Sequence, residues 1–415
     1  MEHYDALETR PPEQRERALL AALPDVVAHA QKNAPGFARI LSGIDARDVS
    51  SRAALAELPV TRKSDLIGLQ QAAPPLGGLN ATPLAKLAKL FISPGPIYEP
   101  EGRSPDWWRL ARALFAAGFR PGDLALNTFA YHFTPAGSMM ESGALALGCT
   151  VVPGGTGQTE AQVATIASLK INGYVGTPSF LKLIAEKADE LKTDIGCLGK
   201  AMVAAEYLPP ALRRALGERG IRVLQCYASA DLGSIAYEAA YESDAPEGMI
   251  LDEQLILEIV RPGTADPVAE GEVGEVVITT LNPDYPLIRF GTGDLSAVLP
   301  GTSPCGRTNT RIRGWMGRAD QRTKVKALFV DPAQVAEVVK RHREIVKARL
   351  VVDTEAGQDR MTLHCEVSGT PPGGLVKAIA ESLREVTKLR GEAALRKPGE
   401  LANDGKVIED ARKYE

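Results

Sequence analysis

Between Asp123 and Tyr227 short apolar runs alternate with helix-forming segments, and this alternation restricts the fold more than any other feature of the chain. "DLALNTF" and "CTVVPGG" read as strands, with "AGSMMESGALALG" between them as a helix. "EAQVATIASLKI" is helical, "GYVGTPSF" is strand into loop, and "PALRRALGERG" is a helix feeding the strand "IRVLQCY". Strands alternating with helices predict an α/β fold built on one sheet. Upstream, residues 11 to 43 read as helices broken at Pro24 and Pro35. "SPDWWRLARALFAAG" reads as a helix ending at Gly118, with Ser104 as its cap, Pro105 in the first turn and Asp106 beside it.

The pattern changes from about Gly248. "LILEIVRPG", "GEVGEVVITTL" and "DLSAVLPG" read as antiparallel strands with Gly and Pro turns, a β-rich subdomain over about 248–314. A boundary falls near "GWMGRADQRTKVKALFV". Beyond it come a strand, the helix "PAQVAEVVKRHREIV", the hairpin "KARLVVDTEAGQDRMTLHCEV" and the helix "GLVKAIAESLREVTKL". The expected organisation is a large α/β domain over 1–319 and a small α+β lid over 320–415, within the usual size of a domain. A large domain and a lid joined by a polar hinge commonly hold a ligand between them.

Composition removes several classes. A net charge of -4 leaves no dedicated nucleic-acid surface. The five cysteines, Cys149, Cys197, Cys226, Cys305 and Cys365, show no CxxC spacing and form no disulfide framework, which favours a cytoplasmic protein. The charged start "MEHYDALETRPPEQRERALL" lacks the apolar core of a signal peptide. No apolar run approaches the roughly 18 residues of a membrane span.

One loop sits awkwardly in this picture. "FISPGPIYEPEG", residues 91–102, follows an apolar run as a phosphate-holding loop would, yet it is short of donors and carries Glu99 and Glu101.

Several segments, taken in order, resemble the phenylacetate–CoA ligase family of the adenylate-forming (acyl-CoA synthetase-like) superfamily. They are "YDALETR", "LPVTRKSDL", "GCTVVPGGTGQTEAQV", "GTPSFL", "YASADLG", "GEVGEVVITTL", "PLIRFGTGDL", "GRADQRTKVKALFVDPAQV" and the terminal "NDGKV". The resemblance covers nearly the whole chain and implies the two-domain adenylate-forming fold. It also implies two half-reactions. A carboxylate attacks the α-phosphate of ATP to give an acyl-adenylate and pyrophosphate. The lid then rotates, and the thiol of CoA displaces AMP.

The resemblance assigns roles residue by residue. Asp294 in "GTGDL" matches the carboxylate that accepts from both ribose hydroxyls; its plain alternative is a turn Asp after Gly293. Lys406 in "NDGKV" matches the lysine that neutralises charge between carboxylate and α-phosphate, as against a solvated terminal lysine. Tyr227 matches the aromatic that stacks on adenine, as against a core residue at a strand end. Ala205 and Glu206 match the segment lining the adenine, Arg318 the ribose-side arginine and Asp320 the hinge. Asp231 stands where the family has a magnesium-contacting Glu, one methylene longer, and Ala230 replaces a hydroxyl residue. Ala327 stands at a family glycine near the thiol tunnel, where a Cβ narrows the space. His132 lies near the acyl pocket as a substrate contact, against the common fate of a lone surface His. Cys305 resembles one ligand of a zinc site found in some relatives, but no further Cys or His accompanies it, so no zinc is expected.

The family's phosphate loop reads approximately S-S-G-T-T-G-K-P. Against it "SPGPIYEP" keeps Ser93, Gly95 and Pro100, puts Pro96 and Ile97 for the threonines, Tyr98 for the second glycine, and Glu99 for the lysine. Pro96 removes a hydroxyl and a backbone donor. Glu99 sets an anion beside a triphosphate; two unit charges about 5 Å apart at an effective dielectric of about 20 interact by roughly 3 kcal/mol. Two readings follow. One is an AMP-forming aryl- or acyl-CoA ligase using ATP, CoA and Mg²⁺ on a small, aromatic carboxylate, compatible with a homodimer. The other is a ligase-like protein that binds AMP, an acyl-adenylate or CoA without adenylating, or that uses a preformed adenylate.

Overall fold

In the computed structural model, residues 2–239, 246–319, 321–325, 328–355 and 358–412 are described. Two units separate. One comprises Met1–Ile256, Ile278–Phe290 and Leu299–Trp315, the other Leu257–Val277, Gly291–Val298 and Met316–Glu415.

In the first unit the alternating segments form the expected sheet. Arg222–Ser229, Lys200–Val203, Gly173–Gly176, Leu124–Asn127 and Thr150–Pro153 lie side by side and parallel. Gly233–Tyr237 and Met249–Leu251 extend the sheet beyond Arg222–Ser229 in antiparallel pairing. Short apolar strands suit this sheet because helices cover parallel strands on both faces. Val163 and Ile166 of the Thr159–Leu169 helix and Leu181 and Ile184 of the Pro178–Glu190 helix pack on Leu126, Tyr174, Ala201, Val203 and Val223, all buried. Thr177 fixes the start of the Pro178–Glu190 helix: its hydroxyl accepts from the Phe180 N–H at 3.3 Å, and Pro178 takes the first turn.

Two sequence expectations are corrected here. Pro24 does not break the N-terminal helix, which runs through Pro12–Asn33. Leu19, Leu23, Val27 and Ala30 form one buried stripe across the proline, and that packing outweighs the hydrogen bond the proline removes. The break at Pro35 stands, since a separate helix starts there. The second correction concerns "SPDWWRLARALF". The helix begins at Leu110 with Arg109 in the N-cap position, and Asp106, not Ser104, supplies the carboxylate that caps it. The Asp106 carboxylate accepts from the N–H groups of Leu110 at 2.7 Å and Ala111 at 3.1 Å. The residues before it turn to send two indoles inward: Trp107 Nε1 donates to Asp284 and Trp108 Nε1 to Glu101.

The second unit holds residues 257–260, 274–277 and 291–296 of the adjacent strands Leu255–Val260, Gly274–Thr280 and Phe290–Ser296. Further along the chain, Ile345–Glu355 and Gln358–Val367 form the expected hairpin, flanked by Glu392–Arg396 and Ile408–Asp410. The helices Pro332–Lys340 and Leu375–Thr387 close one core with it through Val335, Val338, Leu350, Leu363, Ile379 and Leu383. No helix among the described residues is long and apolar enough to cross a membrane.

Candidate active site

The parallel sheet sets where the first unit can hold a ligand. In open α/β sheets ligands lie outside the carboxyl ends of the strands, where the loops gather. His132 follows Leu124–Asn127, and Ala205 and Glu206 follow Lys200–Val203. Tyr227 sits near the carboxyl end of Arg222–Ser229, and Asp231 lies in the turn after it. These expected site residues therefore share one edge of one sheet. Tyr227 is buried at a register shift between Tyr227 and Ala228. Ala205 has a left-handed backbone, φ 68, and is exposed, as is Glu206. Glu206 is tied into the edge, its carboxylate accepting from the Ser179 N–H at 3.2 Å and its carbonyl from Gln225 Nε2 at 2.7 Å. His132 is exposed beside Phe133, whose φ is 62. The Phe133 carbonyl accepts from the Ile92 N–H at 2.9 Å, joining this loop to the strand that leads into "SPGP".

That stretch is a hairpin. Lys89–Ser93 pairs antiparallel with Ile97–Glu101, and Gly95 lies exposed in the turn. The Gln70 side chain clasps its outer strand, donating to the Tyr98 carbonyl at 2.8 Å and accepting from the Tyr98 N–H at 2.9 Å. Glu99 does not face outward as an anion. It is fully buried, and its carboxyl group accepts from the Ser93 N–H at 3.2 Å and from the Ser93 hydroxyl. Strand alternation explains the difference: in this register residues 97, 99 and 101 turn one way and are buried, while Tyr98 between them is exposed; Pro100 is buried as well. Burial pushes the Glu99 carboxyl up to about 7, with the Asp231 charge adding to it and the Ser93 hydroxyl and Lys63 opposing. Both donors of Ser93 thus serve the hairpin's own glutamate.

Lys63, in "LPVTRKSDL", was not picked out by sequence reasoning. Its Nζ lies 2.6 Å from Oδ2 of Asp231, whose side chain has no exposed surface. Oδ1 of Asp231 and the hydroxyl of Tyr285 are buried and find no hydrogen-bond partner among the described residues. The Tyr285 hydroxyl is pushed well above its ordinary value, first by burial and then by the charges of Asp231 and Glu99.

In the second unit the strand Phe290–Ser296 carries Asp294, bridged to Arg318 through the backbone and by an ion pair of 3.0 Å. Lys406 is exposed, in a loop held at several points. Arg349 donates to the carbonyls of Lys406 and Ala402, each at 3.1 Å, and pairs with Asp404. Gln321 Oε1 accepts from the N–H groups of Val407 and Ile408, and its Nε2 donates to the Gly405 carbonyl at 2.8 Å. Gly405 has φ 71, and a Cβ on it would come within 2.7 Å of Val273 and 3.0 Å of Leu295, so the loop passes directly over the residue next to Asp294. Asp294, Arg318 and the Lys406 loop are thereby brought together. Asp320 and Ala327 lie outside the described residues. Gln321 and Arg349 were not foreseen: a polar residue after a hinge motif and an Arg on an alternating strand carry no separate signal.

The profile of the AMP-binding enzyme family matches residues 107–282. In overall fold the chain is similar to an open conformation of 2-hydroxyisobutyryl-CoA ligase, solved in complex with 2-HIB-AMP and CoA. The TM-score is 0.72 at 24% identity, over 97% of this chain and 93% of that one. The fold is therefore that of the adenylate-forming CoA ligases. Over 387 residues the chain is 30% identical to the phenylacetate-coenzyme A ligase of Thermus thermophilus, covering 89% of this chain and 85% of that protein. Against the phenylacetate-coenzyme A ligase of Escherichia coli K12 it is 30% identical over 380 residues, 88% and 85% of the two chains. The chain belongs to the phenylacetate–CoA ligase family.

Proposed function

We propose that this chain is an AMP-forming acyl-CoA ligase acting in the cytoplasm on a small aromatic carboxylate. A carboxylate oxygen of the acid attacks the α-phosphorus of ATP, the α–β bridging bond breaks, and pyrophosphate leaves. The thiolate of CoA then attacks the acyl carbon, and AMP leaves. Asp294 accepts from the ribose hydroxyls, with Arg318 beside it. Tyr227, Ala205 and Glu206 border the adenine, and His132 borders the acyl group. Ser93 and Gly95 belong to the phosphate loop. Lys406 neutralises charge at the α-phosphate, and Asp320 is the hinge on which the small domain turns between the two steps.

The observation that carries this reading is the gathering of Asp294, Arg318 and the tethered Lys406 loop in one unit of a chain of this family. The test is pyrophosphate release and thioester formation with ATP, Mg²⁺, CoA and a panel of aromatic and short aliphatic acids. Release that depends on one class of acid, followed by its CoA thioester, is the expected outcome. No release with any acid, alongside measurable AMP binding, would favour the second reading: a protein that binds AMP or an acyl-adenylate without making it. The buried Glu99–Ser93 contact supports that alternative, because it engages the donors a triphosphate would need.

A further inference from the structure

The resemblance assigns magnesium to Asp231, and the residues around that carboxylate do not suit the ion. Mg²⁺ asks for near-octahedral oxygen ligands at short, nearly fixed distances. Oδ2 of Asp231 is already engaged by Lys63 Nζ at 2.6 Å. The nearby carboxyl, Glu99, is turned to the Ser93 N–H and hydroxyl. A divalent ion at Oδ1 would lie within a few ångströms of an ammonium, where like charges repel strongly in a poorly solvated site.

We infer that Lys63 is the resident cation at Asp231, so that this corner of the first unit is neutralised by the protein's own ammonium in place of a divalent metal. The position of Lys63 fits the role. Its stem is partly exposed, with 24% of the side chain in solvent, while its charged end meets a carboxylate that has no exposed surface. An unpaired buried carboxylate is costly, and an internal ammonium meets that cost without a metal. Asp231 is then a positioning residue that anchors Lys63 and the "TRKS" segment to the turn after Arg222–Ser229. The inference rests on the Lys63–Asp231 contact, goes beyond the ligase reading and does not depend on it.

Mn²⁺ binding, followed by electron paramagnetic resonance on the full chain without nucleotide, tests the inference. Asp231→Asn should leave the affinity of the parent for Mn²⁺ unchanged, and so should Lys63→Arg, which keeps the cation. Lys63→Met should create a site at least tenfold tighter than anything in the parent. The double variant Lys63→Met/Asp231→Asn should lose that site again. Weaker Mn²⁺ binding in Asp231→Asn than in the parent overturns the inference, because the metal would already be on that carboxylate. A folded Lys63→Met that gains no site overturns it too, because the ammonium would not be what keeps the metal away. If Lys63→Met does not fold, the comparison of parent, Asp231→Asn and Lys63→Arg decides the matter alone.

Discussion

Glu99→Gln offers the most direct measurement of what the rebuilt loop does. The carboxyl holds its proton up to about 7 in the folded chain, against 4.5 for the ordinary group. The folded state therefore binds a proton that the unfolded chain has already released over that interval. Stability contributed by the protonated group is complete below pH 4.5 and is lost as pH rises through 7. Between pH 5 and 8.5 the linkage amounts to about 2.5 kcal/mol, most of it between pH 5 and 7. Glutamine keeps the shape and cannot ionise. Its amide oxygen can accept the Ser93 N–H, and its NH₂ can face the Ser93 hydroxyl oxygen. Urea unfolding of parent and Glu99→Gln at pH 5, 6, 7 and 8.5 gives the quantity needed. The variant's stability relative to the parent should rise by about 2.5 kcal/mol across the range. Asp106, whose carboxyl burial pushes up to about 6, titrates in both proteins and cancels in the difference. A difference that stays within about 0.5 kcal/mol at every pH would show that Glu99 is solvated and ionised throughout, and the buried arrangement with Ser93 would be wrong.

Asp294→Ala should weaken AMP binding by about 1.5–3 kcal/mol, the range for hydrogen bonds to a charged group, and calorimetry reads it directly. Lys406→Met should slow pyrophosphate release at least a hundredfold while leaving AMP affinity within twofold of the parent; equal losses in both would place the lysine elsewhere. Gln321→Ala removes the acceptor of the Val407 and Ile408 N–H groups. Exchange at those two amides should quicken by about tenfold or more, with the core of the Ile345–Glu355 hairpin unchanged. Asp106→Ala should cost about 1 kcal/mol in unfolding free energy as the cap of the Leu110–Ala116 helix is lost, whereas Ser104→Ala should cost nothing measurable.

The fold was legible because its strongest signals are local. Alternating apolar runs and helices, Gly and Pro turns and the "KARLVVDTEAGQDRMTLHCEV" hairpin each need only neighbouring residues to be read. What escaped depends on contacts distant in sequence. Pro24 looks like a break until the stripe from Leu19 to Ala30 is seen packed. Ser104 looks like a cap until the two tryptophans are seen turned inward, which moves the helix start to Leu110. Lys63 and Asp231 are 168 residues apart, and nothing in either segment announces the pair. The Glu99 substitution could be read as a loss of positive charge, but its direction could not. One step of strand register decides whether a side chain meets solvent or core, and "PGP" hides the register.

The same register gives the loop its chemical meaning. In the family pattern a lysine and hydroxyls converge on phosphate. Here a carboxyl reaches back to the first residue of its own loop and takes both donors of Ser93. Glu99 is in effect an internal anion bound where the loop would bind an external one. A triphosphate competing for those donors must first break two hydrogen bonds. If each is worth about 1.5–3 kcal/mol while Glu99 is ionised, opening costs roughly 3–6 kcal/mol; with Glu99 protonated, each bond is worth only about 1 kcal/mol. Proton occupancy near neutral pH therefore sets how readily the loop opens, and the Lys63–Asp231 pair beside it helps fix that occupancy through its charges. Among the described residues the second unit shows no such self-occupation at Lys406: the loop's backbone is held by Arg349 and Gln321, and the Lys406 side chain is exposed. The two units thus differ in how these side chains are occupied: Glu99 engages both donors of Ser93 in the first, whereas Lys406 is exposed in the second.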